Sequence, residues 1–268
     1  MHGRERTHMI LRLVRERSVV AVRELITLTG ASGATIRRDL AELAEAGLIR
    51  RVHGGVEAVD PAHPRQLETR GFAAARSLNL GRKRAIARQA AALCRDGESI
   101  IINAGSTTFE MVDPLMRRRL HILTNSFPIA QALLERSENR IVLPGGELYR
   151  QQGIIVSPFD DDAIQHYTAA KMFMSCYSLG PMGVIEGDPL IARAEAKLLR
   201  RAEQLVLLVD SSKFDPRGSI VVCPLARVST VITDDAAPAP ALDMLRAAGI
   251  EVMVAAVDEA PLAEVSAA

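Results

Sequence analysis

The sequence predicts an α/β chain in two parts: an N-terminal winged helix-turn-helix, then a larger domain built on a mostly parallel sheet. Three observations predict it. Residues 31–40 read Ala-Ser-Gly-Ala-Thr-Ile-Arg-Arg-Asp-Leu, a turn and helix start carrying adjacent arginines, and Arg50-Arg51-Val52-His53-Gly54-Gly55 follows shortly after. From residue 82 onward, helical and strand patterns alternate. Positive charge gathers at the start: residues 1–55 hold ten arginines, no lysine and six acidic residues, whereas the rest carries 23 basic and 26 acidic side chains.

A chain of 268 residues accommodates one small and one medium domain, with expected boundaries at 1–57, a connector at 58–80 and a second domain at 81–268. The 48% apolar share is ample for a packed core. No stretch approaches the roughly 20 apolar residues of a membrane span, so no membrane partner is expected. The opening Met-His-Gly-Arg-Glu-Arg lacks the apolar run of a secretory signal, and the expected location is cytoplasmic. Cys94, Cys176 and Cys223 are few, odd in number and far apart. They read as reduced, buried thiols and not as zinc ligands or a disulfide framework; neither a metal site nor a cofactor is expected. Aromatic residues make up 3% and Trp is absent, which disfavours single-strand or RNA readout by base stacking.

Met9, Ile10, Leu13 and Val14 repeat at helical spacing, so residues 4–17 should form a first helix. Val22, Leu25 and Ile26 give a second, shorter one. Thr29-Gly30-Ala31-Ser32 is the turn, with Gly30 supplying positive φ and Ser32 capping the third helix. In that helix Ile36, Leu40 and Leu43 fall within about 60° of one another. Ala34 and Arg38 point away from them, with Thr35 and Arg37 flanking. One face is apolar for packing; the other is small and cationic, suited to a DNA groove. Arg forks suit bidentate contacts to guanine or phosphate, although a GC-rich coding bias also accounts for the choice of Arg over Lys. Leu48-Ile49-Arg50-Arg51-Val52 alternates as a strand, and Gly54-Gly55 signals a hairpin turn. The resulting wing would lay Arg50 and Arg51 along phosphates or in the minor groove. His53 either joins them or packs the wing.

Thr35-Ile36-Arg37-Arg38-Asp39-Leu40, then Leu43, Gly47 and Arg51-Val52-His53-Gly54-Gly55, resembles the winged helix-turn-helix of the DeoR family of bacterial sugar-catabolism regulators. The resemblance implies that the third helix reads the major groove of double-stranded operator DNA. Its implied contacts are Ser32, Thr35, Arg37 and Arg38, with Arg51 and His53 in the wing.

Residues 58–80 have poor periodicity, and Asp60-Pro61-Ala62-His63-Pro64 is not helical throughout. Beyond them, strands are expected at 99–103, 120–124, 140–143, 171–176, 205–210, 228–233 and 250–255, with helices at 84–93, 127–136, 191–203 and 238–248. Ile220–Leu225 either pairs subunits or forms a core strand. In such sheets ligands bind where strand ends meet helix starts. Four polar segments converge there: Asn103-Ala104-Gly105-Ser106-Thr107-Thr108, Thr124-Asn125-Ser126, Pro144-Gly145-Gly146 and Asp210-Ser211-Ser212-Lys213. A glycine followed by three hydroxyls at a strand-to-helix switch can cradle an anion, and Lys213 adds a flexible ammonium. One such loop is equally read as Ser and Thr capping a helix with no ligand, but four at corresponding strand ends point to a phosphate pocket.

The same segments are similar to the effector domain of that family, and the resemblance spans residues 4–255. It implies a Rossmann-like domain of the sugar-phosphate isomerase and CoA-transferase-like group. A phosphorylated sugar or polyol would then sit on Gly105, Ser106, Thr107 and Thr108. Lys213 would neutralise the phosphate, with Asn125 and Gly146 near the sugar body and Ser126 also among the effector-binding residues. Lys83 and Glu195 also match family positions; Lys83 either contacts the effector or bonds a surface carboxylate, and Glu195 is either a site residue or a helix-surface charge. The loop departs from the family pattern in Asn103-Ala104, where an acidic residue and serine are usual, and in Ser106, which replaces threonine. Residues 103–107 and 151–158 look most like the branch of ascorbate and rhamnose utilisation repressors. The implied protein is a repressor acting as a homo-oligomer, a dimer or tetramer, on repeated or palindromic half-sites. The alternative is a sugar-phosphate isomerase-like enzyme fused to a DNA-binding module. Against it, Leu179-Gly180-Pro181-Met182-Gly183-Val184 lacks the closely spaced aspartates of those isomerases, so no catalytic residue is expected, although Glu186, Asp188 and Glu195 remain as bases.

Overall fold

The computed structural model describes residues 6–7, 9–11, 13–14, 19–45, 48–52, 55–58, 72–157, 159, 162–215 and 217–257. The chain divides into two compact units, Met1–Glu68 and Thr69–Ala268.

In the first unit the described residues between 6 and 14 are helical, and Ile10, Leu13 and Val14 are buried. A strand that the sequence reading missed, β1 (Val19–Ala21), leads into helix α1 (Val22–Thr29). Gly30 ends α1 at φ 66°, with its amide donating to Ile26 O at 3.0 Å, the left-handed cap expected of it. Helix α2 (Gly33–Glu45) follows, then β2 (Ile49–Val52) and β3 (Gly55–Ala58). The three strands pair antiparallel in the order β1-β3-β2. Gly55 belongs to β3 and not to the turn expected at Gly54-Gly55; Gly54 lies outside the described residues. An added Cβ at Gly55 would lie 2.7 Å from Val20 O, so the close approach of β1 requires glycine there. Ile36, Leu40 and Leu43 of α2 meet Ile10, Val20, Leu25, Ile49 and Val56 in one core.

The second unit opens on two helices. Helix α3 (Phe72–Ser77) occupies the stretch read as connector, and α4 (Leu80–Ala92) starts before the expected helix. Next come β4 (Ser99–Ile102), α5 (Ser106–Phe109), α6 (Val112–Leu115), β5 (His121–Thr124), α7 (Phe127–Arg136) and β6 (Arg140–Val142). A hairpin of β7 (Glu147–Tyr149) and β8 (Ile154–Val156) follows, then β9 (Ala169–Met174). Strands β10 (Ser178–Gly180) and β11 (Gly183–Glu186) precede α8 (Pro189–Leu199) and β12 (Ala202–Leu208). Strand β13 (Ile220–Cys223), β14 (Thr230–Asp234), α9 (Ala239–Ala247) and β15 (Glu251–Ala255) complete the unit. β13 joins β10 and β11 in a small antiparallel sheet, which places 220–223 in a strand of this unit.

The main sheet has the order β15-β14-β12-β9-β4-β5-β6, with every pair parallel. Its strands are apolar runs because both faces are covered. Ile100 and Ile102 of β4 face a layer holding Ile86, Ala90, Val112 and Leu133, whereas Ile101 faces one holding Leu198 and Leu245. The chain runs β4 to β5 to β6 in one direction, then resumes at β9 on the other side of β4. That reversal makes the C-terminal ends of β4 and β9 a topological switch point, the place where ligands bind in such sheets. Cys94, Cys176 and Cys223 are buried free thiols.

Candidate DNA-binding and effector sites

Ser32, just ahead of α2, is exposed, and on α2 Ala34, Arg37 and Arg38 are exposed, opposite buried Ile36 and Leu40. Ser32 Oγ accepts the Thr35 amide at 3.2 Å and lies 2.9 Å from Thr35 Oγ1, so the cap and a groove candidate are tied together. Asp39, beside the two arginines in sequence, turns inward. Arg6 holds it from Nε at 2.5 Å and from Nη2 at 3.1 Å, fixing α2 to the first helix. The sequence reading missed this pair, and 33 residues of separation give no local signal for it. Arg50 and Arg51 stand on β2. His53 lies outside the described residues.

In the second unit the C-terminal ends of β4 and β9 are tied together by Asn103. Its backbone amide donates to Phe173 O at 3.0 Å, and its Oδ1 accepts the Ser175 amide at 3.1 Å. Its Nδ2 donates to Glu195 Oε1 at 2.8 Å. Glu195 is therefore no helix-surface charge: it is 2% exposed, and its Oε2 has no hydrogen-bond partner. Burial raises its pKa well above the usual carboxylate range, nearby Glu186 adds to this, and the Asn103 bond opposes it. Glu186, another buried carboxyl, is pushed up to about 7, chiefly by burial. Its oxygens accept the amides of Tyr177 at 2.8 Å and Gly187 at 3.2 Å.

The loop after β4 carries Gly105, Ser106, Thr107 and Thr108. Gly105 and Ser106 are partly exposed. Thr107 is buried with an unpartnered Oγ1. Thr108 instead closes the loop, its Oγ1 lying 2.8 Å from Asn103 O and 3.0 Å from Gly105 O. Asn125, at the end of β5, accepts the Ala104 amide at 2.9 Å. Ser126 caps α7 by accepting from Ile129 at 3.4 Å. Gly146, with φ 151°, is exposed, and an added Cβ there would lie 2.4 Å from Val156 O; it lets β7 meet β8. Lys213 sits in the single turn Ser211–Phe214, with its Nζ 5.9 Å from the Tyr177 ring centre. Lys83 is 3% exposed and donates to Ala75 O, so of its two readings the surface carboxylate pair is not observed. Burial lowers its pKa; Asp210 and Glu110 oppose this, and Lys213 adds to it.

Four neighbouring strands, β12, β9, β4 and β5, thus deliver Lys213, Ser175, the Asn103–Thr108 loop and Asn125 to one edge. Beside it a cleft lined by Asn125, Ser157, Arg193 and Lys197 encloses about 10 Å³, room for about one water. A separate open depression of about 480 Å³, lined by Arg117, Arg118, Arg119 and Arg136, lies before β5 and β6. It is at the wrong ends of the strands for a ligand crevice, and three of its arginines face Asp96, Glu138 and Asp113.

Residues 6–62 match the DeoR-like helix-turn-helix domain, and residues 78–235 match the DeoR C terminal sensor domain. The chain belongs to the DeoR family. As a DeoR-family protein it is a helix-turn-helix transcriptional regulator with a C-terminal sensor domain. It is 31% identical to the HTH-type transcriptional regulator UlaR of Shigella dysenteriae over 93% of this chain and 98% of that protein. The Escherichia coli O127:H6 protein of the same name shows the same identity and coverage. Among solved structures, ribose 5-phosphate isomerase A of Methanocaldococcus jannaschii matches at 19% identity and a TM-score of 0.38, over 49% of this chain and 53% of that one. The eIF-2B of Pyrococcus horikoshii matches at 14% identity and a TM-score of 0.37, over 80% of this chain and 68% of that one. No helix of the described residues is long and apolar enough to cross a membrane.

Proposed function

We propose that this DeoR-family regulator represses a carbohydrate-utilisation operon in the cytoplasm, and that a phosphorylated sugar or polyol at the β4–β9 switch point controls it. The observation that carries the reading is the pairing of unsatisfied buried polar atoms, Thr107 Oγ1 and Glu195 Oε2, with an ammonium, Lys213, on one sheet edge. Buried polar atoms without partners are costly, and a polyhydroxylated anion satisfies both kinds. Gly105, Ser106 and Thr107 take the phosphate with Lys213. Asn125 and Glu195 face the sugar body. Thr108, Ser126, Gly146 and Lys83 hold the frame.

Ser32, Thr35, Arg37 and Arg38 supply groove contacts, while Arg50, Arg51 and His53 follow the backbone from the wing. A homo-oligomer, dimer or tetramer, presents paired winged helices to repeated half-sites. The effector acts only through its different affinity for the DNA-competent and DNA-incompetent arrangements. The site binds without turnover. Glu186 has the pKa of a general base, but amides hold both its oxygens. The test is thermal unfolding of the full chain against a panel of pentose and hexose phosphates and polyol phosphates, with a parallel isomerisation assay. A specific stabiliser that is not converted supports the reading. Conversion makes the protein an enzyme, and a panel with no stabiliser removes the effector assignment.

A further inference from the structure

Helix α3 is the first described helix of the second unit, so the chain leaving the winged helix passes through it. Its six residues are too few for a stable helix of their own. Tertiary contacts hold it instead. Phe72 packs edge-on against Phe109, with ring centres 5.4 Å apart. The Arg76 guanidinium lies 4.1 Å from the centre of the same ring, and its Nε donates to Glu110 Oε1 at 3.2 Å. Buried Lys83 donates to Ala75 O, and the Phe72 amide donates to Gln151 O at 3.0 Å.

The grips through Phe109, Glu110 and Gln151 lead back to the loop after β4 and to Asn125. Phe109 and Glu110 directly follow the Gly105–Thr108 segment, and their amides bond to Gly105 O at 3.0 Å and Thr107 O at 3.1 Å. Gln151 begins the turn into β8, whose Ile155 amide donates to Asn125 O at 2.8 Å. A shift of the loop after β4 therefore moves the floor on which α3 rests.

We propose that α3 is the transmission element of the regulator: occupancy of the Gly105–Thr108 loop resets Phe109 and Glu110, and these reset α3 through Phe72 and Arg76. The inference rests on the loop being the effector site, and it adds the residues that carry the signal out. Arg76 acts by positioning, through Phe109 and Glu110. Coupling is reciprocal, so DNA binding must be felt at the loop even with no effector present.

The test is hydrogen exchange of the full chain with and without a duplex taken from immediately upstream of its own gene. Exchange at amides 72–77 and 105–110 should change on the order of tenfold when the duplex binds. In Arg76→Ala, which still binds the duplex, the change at 105–110 should vanish. In Arg84→Ala it should persist, because Arg84 is the other partner of Glu110, at 3.2 Å from Oε2, and is no part of α3. Duplex binding with unchanged exchange at 105–110 overturns the transmission route and leaves the regulator reading standing. Persistence in Arg76→Ala, or equal loss in Arg84→Ala, overturns it as well. A chain that ignores the duplex overturns both.

Discussion

Asn103 Nδ2 donates to Glu195 Oε1 at 2.8 Å, joining the loop after β4 to the middle of α8 across 92 residues. The same amide group holds the Ser175 N–H, so one side chain fastens three elements at the switch point. It also leaves one carboxyl oxygen of Glu195 buried and unpartnered.

That arrangement fixes a pH dependence. Glu195 and Glu186 bind a proton more tightly in the folded chain than in the unfolded one, mainly because burial disfavours their charge. Unfolding releases those protons, so stability falls as pH rises. For Glu186 the loss runs from the ordinary value of 4.5 to about 7. Denaturant unfolding at mildly acidic and mildly alkaline pH should show a larger drop for the native chain than for Glu195→Gln, which has no proton to release. An equal or larger drop in the variant contradicts the assignment.

The two neighbouring threonines should separate structure from binding. Thr108→Val loses the hydroxyl that closes the loop and should cost about 0.5–1.5 kcal/mol of stability. Thr107→Val removes an unpartnered hydroxyl and should leave stability unchanged or slightly raised, while weakening phosphosugar binding. Calorimetry on both variants checks this; reversed effects would assign the phosphate contact to Thr108.

Much of the fold was legible, for physical reasons. The run Ile100-Ile101-Ile102 reads as a doubly covered strand, and Ile36, Leu40 and Leu43 fix which face of α2 is free. Other features depend on contacts that sequence order hides. α3 has no periodicity of its own and is held by Lys83 and Phe109. The strands β1, β7, β8 and β10, three residues each, stand outside the β–α alternation, whereas β6, equally short, falls within it after α7. Ser175 joins the site because β9 lies beside β4, which only the sheet order reveals. Glu195 matches the family pattern, but nothing local in the sequence distinguishes it from a solvated helix charge.

Gly30 should be needed for its backbone. Its φ of 66° suits glycine, and an added Cβ meets nothing within 4 Å, so only backbone strain opposes substitution. Gly30→Ala should cost about 1 kcal/mol. Melting of the isolated change against the native chain measures it; a neutral result removes the left-handed cap from the account.

Arg38→Ala should weaken operator binding by about 1–3 kcal/mol if the exposed guanidinium reads a base. Lys213→Ala should keep DNA binding and lose the effector response. Titrations of both variants, with and without the stabilising phosphosugar, test the division of labour; a swapped pattern contradicts it.

The most direct measurement is fluorescence anisotropy of the full chain on its own upstream duplex, with salt and phosphorylated sugars or polyols varied. Specific binding should fall roughly a thousandfold between about 50 and 200 mM salt, for six or more phosphate contacts. One phosphorylated ligand should shift the affinity by roughly 5–150-fold. Equal affinity for an unrelated duplex, or indifference to every ligand, contradicts the account.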